Sequence, residues 1–405
     1  MIKKKTKLSI FYCLTMIMYT IGDGFFGFGF IAFMYSKGLS LSEIGVLTGI
    51  VNLLLAFFDY PSGNISDKYG RKKTAAFGFV LFGTGLIIFG LSSSFILFLF
   101  SGLIRALGIA LISGSPISWY LDELNKINDF MFKDKALPVI RTIGFLIGSL
   151  SGILAGQLST VYTSLPSFVG GIILIIMGIL LFALFEDNYG KSQNLNLNIS
   201  IIENTKNFLK DKNMNLVAAY ELFNSVTFTI FILAWQVYAT KVIGLDYKFL
   251  GIMYSIVLLC MTTSSLLTRG LVSKLNAELI TFIGIFITAI GLALILFDTN
   301  KLIFIIAFVI FEIGIGLANV SYSLWIHDYI KSEVRTSYLS GLSTVQSLIA
   351  FFIALLFGVL IERLGYTGGW IVAIVSQVFC LLIIIKFYFK NPKRQIISNK
   401  GQSNG

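Results

Sequence analysis

The chain has 405 residues, of which 56% are hydrophobic and only 13% charged, with a mean hydropathy of +0.86. Soluble globular chains carry about 25% charged residues, so this composition excludes a water-solvated domain and makes lipid the solvent for most of the sequence. The net charge of +11 does not indicate a nucleic-acid partner, because Lys and Arg are scattered between apolar segments rather than gathered into one domain.

A membrane span needs about 20 mostly apolar residues. Runs of that kind predict twelve spans, at 8–35, 44–62, 74–92, 95–120, 137–160, 167–185, 214–240, 248–268, 278–297, 301–326, 337–361 and 368–388. Met1 to Lys7 is basic, and the apolar run after it has spanning length and no small-residue cleavage site, so a retained first span is expected rather than a cleaved signal. The spans divide six and six around a stretch rich in Asn, Lys and Ser. The expected organisation is a six-helix bundle over 1–185, a cytoplasmic linker over 186–213, a second six-helix bundle over 214–388 and a cytoplasmic tail over 389–405.

Orientation follows from Lys and Arg, which are retained on the cytoplasmic side. With the N-terminus inside, about 25 of the 31 basic residues fall inside and about five outside, at Lys37, Lys241, Lys248, Lys301 and Arg363. One missed helix would scramble that asymmetry. A multi-pass protein of the plasma membrane with both termini cytoplasmic is therefore expected.

Between the second and third spans lies Gly63-Asn64-Ile65-Ser66-Asp67-Lys68-Tyr69-Gly70-Arg71-Lys72, with the spacing G-x-x-x-D-[RK]-x-G-R-[RK]. Asp59-Tyr60-Pro61-Ser62 leads into it. The stretch resembles the signature loop between helices 2 and 3 of the major facilitator superfamily, and the charge asymmetry puts it on the cytoplasmic side, where the motif belongs. After span 8, Gly270-Leu271-Val272-Ser273-Lys274 looks like a decayed copy that keeps the first glycine and lacks the Asp and the Gly-Arg pair. Arg335-Thr336-Ser337-Tyr338-Leu339-Ser340 resembles the R-A-T-x-x-S pattern that opens helix 11 in related bacterial carriers. The resemblance implies an all-α membrane protein, twelve transmembrane helices in two six-helix bundles, alternating access around a site near the bilayer midplane.

In the resembled family the loop's Asp pairs with the N-terminal end of helix 11, and its Arg with an acid near the end of helix 4. Carried onto this chain, the resemblance implies a cytoplasmic gate of Gly63, Asp67, Gly70 and Arg71, with Asp122 and Glu123 at the end of span 4 and a helix start near Ser337. A free helix N-terminus attracts an anion such as Asp67. The simpler alternative is a loop that only anchors topology by its positive charge.

Intramembrane charges are costly and normally face a cavity or a partner. Asp23 lies in span 1, Arg105 in span 4, Glu221 in span 7 and Glu312 in span 10. In the resembled fold those four helices line the central cavity, so the four residues are the candidate proton-coupling and substrate-cavity set. A carboxyl group that moves between water and a buried site can take up and release a proton. Asp23, Glu221 and Glu312 are candidates for that role in no fixed order, while packing pairs such as Asp23 with Arg105 are the alternative. Arg105 also matches the arginine of the family's fourth-helix pattern, in Arg105-Ala106-Leu107-Gly108. Asp59, just before Pro61, reads as a helix-end or latch residue.

Aromatic residues are abundant, and Phe25, Phe26, Phe28, Tyr220, Phe223, Trp235, Phe311 and Tyr322 fall on the cavity-lining spans, where they either pack or form an apolar, cation-binding wall. Asn224, Gln236, Asn319 and Gln157 are the polar residues a sugar site would use. Gly144, Gly148, Gly152 and Gly156 recur every four residues in span 5, on one face open to close helix approach. Many drug/proton antiporters carry a Gly-Pro-x-x-Gly-Gly element there; this chain has the glycines without the proline. The single histidine, His327, beside Asp328, reads as an interfacial residue or a proton relay. Cys13, Cys260 and Cys380 stand far apart inside apolar runs and read as buried hydrophobes.

No G-x-x-x-x-G-K-[ST] loop and no H-E-x-x-H occurs, so a transporter rather than an enzyme is expected, without cofactor or metal and with a proton gradient as its energy source. The expected function is proton-coupled efflux of lipophilic or cationic small molecules, drugs and antibiotics among them. The alternative is symport or uniport of a polar metabolite such as a sugar, amino acid or organic anion; a lipid-handling or sensor protein on the same fold is a third. A small-molecule substrate and the lipid bilayer are the expected partners of a monomer, with no nucleic acid.

Overall fold

Backbone N–H and C=O groups in lipid must be satisfied within the chain, and a helix does this segment by segment. The computed structural model describes residues 2–184, 186–189, 212–297, 299–330 and 335–390, and the side chains at 2–4, 60, 212, 213, 327–329, 335–341, 343, 344 and 388–390 lie outside that description. Apart from turns, the described residues are helical: α1 (Ile2–Gly27), α2 (Phe30–Ser36), α3 (Leu41–Tyr69), α4 (Arg71–Leu91), α5 (Phe95–Ser113), α6 (Ser115–Lys126), α7 (Lys133–Ser159), α8 (Leu165–Ala183), α9 (Lys212–Lys241), α10 (Tyr247–Leu271), α11 (Ala277–Phe297), α12 (Lys301–Tyr329) and α13 (Arg335–Lys390). A short 3-10 turn, Phe130–Phe132, leads into α7.

Among the described residues, eleven stretches are long and apolar enough to cross a membrane, and the last of them, Val345–Phe387, has 43 residues. At 1.5 Å per residue that is about twice the thickness of a hydrocarbon core. Gly365 breaks it with φ 65° and ψ −179°, so it contains two spans and the total is twelve.

Three departures from the predicted elements bear on function. The first span is broken, α1 ending at Gly27 and α2 starting at Phe30. The fourth is broken at Gly114, with Pro116 in the first turn of α6, a position where the missing N–H of proline costs nothing. The signature stretch is not a loop: α3 runs through Gly63, Asp67 and Tyr69, and Gly70 alone interrupts the helix before Arg71 begins α4. Ser40 opens α3 with a capping box, its Oγ accepting from the Glu43 N–H at 3.2 Å and its own N–H donating to Glu43 Oε2 at 2.8 Å.

By packing, the chain falls into two compact units. The first holds Met1–Leu195, Ile232–Thr262 and Phe351–Gly365; the second holds Asn196–Phe231, Thr263–Ala350 and Tyr366–Gly405. This partition differs from the sequence division at 186–213, because parts of α9, α10 and α13 pack with the first six spans. In the first unit α4 packs on α8 and α5, α3 on α5, and α1 on α7 and α8. The glycine face of α7 meets α10: a Cβ on Gly152 would sit 2.8 Å from the Gly251 carbonyl, and one on Gly156 2.8 Å from the Lys248 carbonyl. The close approach of these backbones requires glycine at 152 and 156, whereas Gly144 and Gly148 face Thr20 of α1. In the second unit α11 packs on α12, and Met214, Tyr220, Trp325, Cys380 and Phe387 share one buried cluster.

Candidate functional site

The junction of α3 and α4 gathers the charges of the signature stretch. Arg71 begins α4, which turns its side chain back over α3 and toward α6. Its Nε donates to Asp67 Oδ1 at 3.0 Å, its Nη1 donates to the Ser118 carbonyl at 3.2 Å, and the same nitrogen pairs with the Asp122 carboxylate. Of the two acids at the end of span 4, Asp122 is thus the arginine's partner. Glu123 instead accepts from Lys126 Nζ at 2.6 Å and from Asn188 Nδ2 at 3.1 Å. Asp67 is held by Arg71; the helix start expected near Ser337 is that of α13 at Arg335, and the side chains there lie outside the description. Gly63 is an exposed residue inside α3, and Asp59 is likewise exposed.

Asp187 and Asn188 complete this junction, and sequence reasoning passed over them. Asp187 Oδ1 accepts from the Lys72 N–H at 2.8 Å and Oδ2 from the Lys73 N–H at 3.1 Å, which caps the first turn of α4 with an anion. The Arg71 N–H donates to the Asn188 carbonyl at 3.0 Å, and Asn188 Nδ2 donates to the Trp119 carbonyl at 3.0 Å. Gly70 makes this possible twice over. Its φ of 105° is a backbone conformation that side chains rarely adopt, and a Cβ there would lie 2.7 Å from the Asp187 Cγ. The available signal was the pair of capping-type residues just after span 6.

Inside the first unit, Asp23 and Arg105 come together. Each feels the other's charge, and Tyr19 and Tyr254 feel that of Asp23. They do not close to an ion pair; the Arg105 guanidinium lies over the Phe26 ring, 4.3 Å from its centroid. Asp23, Arg105, Tyr19 and Tyr254 all keep partial exposure, whereas Phe25, Phe26 and Phe28 are buried. Tyr254, from α10, was not anticipated.

A second bridge in this unit holds the broken first span. Gln236, 1% exposed, accepts at Oε1 from the Ile31 N–H at 2.9 Å and the Ala32 N–H at 3.2 Å, and its Nε2 donates to the Gly27 carbonyl at 3.0 Å. One amide from α9 thereby satisfies three backbone groups that the break between α1 and α2 leaves without helical partners.

In the second unit, Glu221, Asn224, Ser225 and Phe228 recur at the spacing of one helix face on α9. With Asn319 and Tyr322 of α12 and Gln346 of α13 they line a cavity of about 190 Å³. Asn224 Nδ2 donates to Asn319 Oδ1 at 3.2 Å, and the Tyr322 hydroxyl lies beside the Glu221 carboxylate. Glu312 is not among the lining residues; it sits on α12, 6% exposed, with no ion pair among the described residues. Of the eight aromatic candidates only Tyr322 lines this cavity. Phe311 stacks on Phe231 with ring centroids 3.6 Å apart, and Phe223 stacks on Phe379 at 4.7 Å. Their size is used to fill the space between helices. The side chain of His327 lies outside the described residues.

Long apolar helices enclosing partly exposed acids, an arginine and a small polar cavity define a membrane carrier. The sequence matches the family model of the Major Facilitator Superfamily over residues 12–353 and 221–404, and the chain belongs to that family. It is a multi-pass membrane transporter, not an enzyme. The uncharacterized MFS-type transporter MJ1560 of Methanocaldococcus jannaschii is 24% identical over 90% of this chain and 94% of its own length. Multidrug resistance protein 2 of Bacillus subtilis is 22% identical over 53% of this chain and 54% of its own. Among solved structures, the nucleoside transporter NupG gives a TM-score of 0.76 at 14% identity, covering 95% of this chain and 98% of that one. The D-xylose–proton symporter gives 0.69 at 14% identity, covering 95% and 98%. At such identities these two likenesses concern the fold alone.

Proposed function

We propose that this transporter exports lipophilic or cationic small molecules in exchange for protons. The observation that carries the proposal is the Glu221 carboxylate on the wall of a cavity within the apolar second unit. A carboxylate there attracts a cation, and the same group can take the proton that replaces it. Asp23 with Arg105, and Glu312, which has no ion pair among the described residues, are the further candidates for proton coupling. The likeness to a multidrug resistance protein of Bacillus subtilis supports the export reading over part of the chain.

Two six-helix bundles, 1–185 and 214–388, would rock around the linker 186–213, gated by the contacts of Asp67, Arg71 and Asp122, with Gly63, Gly70 and Glu123 as their support. The protein would sit as a monomer in the plasma membrane with both termini cytoplasmic, using the proton gradient and no cofactor.

A second reading has its own support. Asn224, Ser225, Asn319 and Gln346 make the cavity wall rich in hydrogen-bonding side chains, which suits symport or uniport of a polar metabolite. Everted vesicles energised with a proton gradient separate the two. Gradient-dependent uptake of cationic dyes that Glu221→Gln abolishes is expected. Uptake of none of them by correctly inserted protein would move the function to the polar metabolite.

A further inference from the structure

The cavity between α9, α12 and α13 is unbalanced in its hydrogen bonding. Glu221 is 8% exposed, Asn224 6% and Ser225 3%. Asn224 spends a donor on Asn319, while its Oδ1 and the Ser225 and Tyr322 hydroxyls have no hydrogen-bond partner. A buried polar atom left unmatched costs about 1–3 kcal/mol. The Asn224 Oδ1 and the Glu221 carboxylate can only accept, and the two hydroxyls accept as well as donate, so a ligand that brings donors and a positive charge serves them all.

We infer that this cavity selects a small organic cation bearing N–H donors, a protonated primary or secondary amine, over a quaternary ammonium of the same size and charge. The inference rests on the cation reading of the preceding subsection and narrows it. A protonated amine brings both a positive charge for Glu221 and N–H groups for Asn224 Oδ1 and Ser225 Oγ. A quaternary ammonium brings the charge but leaves those two oxygens unmatched. A neutral alcohol brings a donor without the charge, and an anion meets the carboxylate. Sites built to hydrogen-bond a ligand N–H discriminate strongly against analogues that lack it, because the site's own groups are then stranded. Phe228 supplies one apolar side to the cavity, against which the carbon skeleton of the amine packs.

The test uses the full-length protein purified in detergent and three probes of one skeleton: 2-phenylethylammonium, its N,N,N-trimethyl analogue and 2-phenylethanol. Affinities are read by calorimetry without any proton gradient, so the result does not depend on coupling. The expected result is binding of the ammonium at least about tenfold tighter than either analogue. Asn224→Leu should bring the two cations to equal affinity, and Ser225→Ala should narrow the ratio by a smaller factor, which keeps the test open if the first variant does not fold. Glu221→Gln should weaken both cations together. Equal affinity of the two cations for the wild type, tighter binding of the quaternary one, or no binding of the ammonium by folded protein would each overturn the inference. Gradient-driven uptake of both cations at equal efficiency would leave the export reading standing while this narrower one falls. Binding of the alcohol as tight as that of the ammonium would overturn both.

Discussion

Replacing Gln236 by Leu tests whether one amide holds the broken first span. The two side chains are close in size, so the substitution removes hydrogen bonds with little change in volume. It strands the N–H groups of Ile31 and Ala32, which are 0% and 4% exposed and so out of reach of water, and it removes the donor to the Gly27 carbonyl. Each stranded buried group costs about 1–3 kcal/mol, so the two N–H groups alone amount to roughly 2–6 kcal/mol. For a domain of about 150–250 residues, 1 kcal/mol moves the unfolding midpoint by about 2–4 °C. Gln236→Leu should therefore lower the midpoint of the purified protein in detergent by about 4 °C or more. Gln157→Leu is the control, because Gln157 is exposed and its loss strands nothing. An unchanged midpoint for Gln236→Leu, or an equal fall for both variants, would refute the assignment of the bridge.

The other expectations concern the α3–α4 junction and the close helix contacts. Gly70→Ala should sharply reduce the yield of monodisperse protein in size-exclusion chromatography, since the φ of 105° and the Asp187 carboxylate both oppose a side chain there. Asp187→Asn keeps one acceptor oxygen where Oδ1 and Oδ2 serve the Lys72 and Lys73 N–H groups, and it loses the charge at the helix start; a stability loss of about 1 kcal/mol or more is expected, readable as a fall in melting midpoint. Asp67→Asn should abolish transport in vesicles while membrane insertion stays intact, and unchanged transport would remove the residue from the gate. Gly251→Val should prevent folding, because a Cβ at Gly251 would lie 2.7 Å from the Gly156 Cα; a folded, wild-type-like variant would show that α7 and α10 do not meet as closely as described.

Hydropathy and charge asymmetry in the sequence made twelve spans legible, because lipid demands long apolar runs and the retained cations mark one side. The spacing of the signature stretch carried the family resemblance, and the pairing of Arg71 with a span-4 acid was what that resemblance implied. The pattern had no means of showing that the stretch is helical up to Tyr69, because Gly and Asp there look like loop residues and the decisive φ belongs to Gly70 alone. Nor could it separate Asp122 from Glu123, adjacent acids that point to different sides of α6.

The linear string alone carried the solvent, the number of spans and the short list of charges that lipid would not tolerate without a purpose. Tertiary structure decided the partners. Gln236 reads as one more polar residue in a span until the break at Gly27 is brought against it, and Asp187 reads as linker until α4 begins beneath it. Asn224 and Asn319 are 95 residues apart and become one hydrogen-bonded pair only when α9 and α12 face each other. The physical reason is common to all three: hydropathy is a property of each residue and survives in the linear string, whereas a hydrogen bond has two ends, and only packing brings the second one into reach.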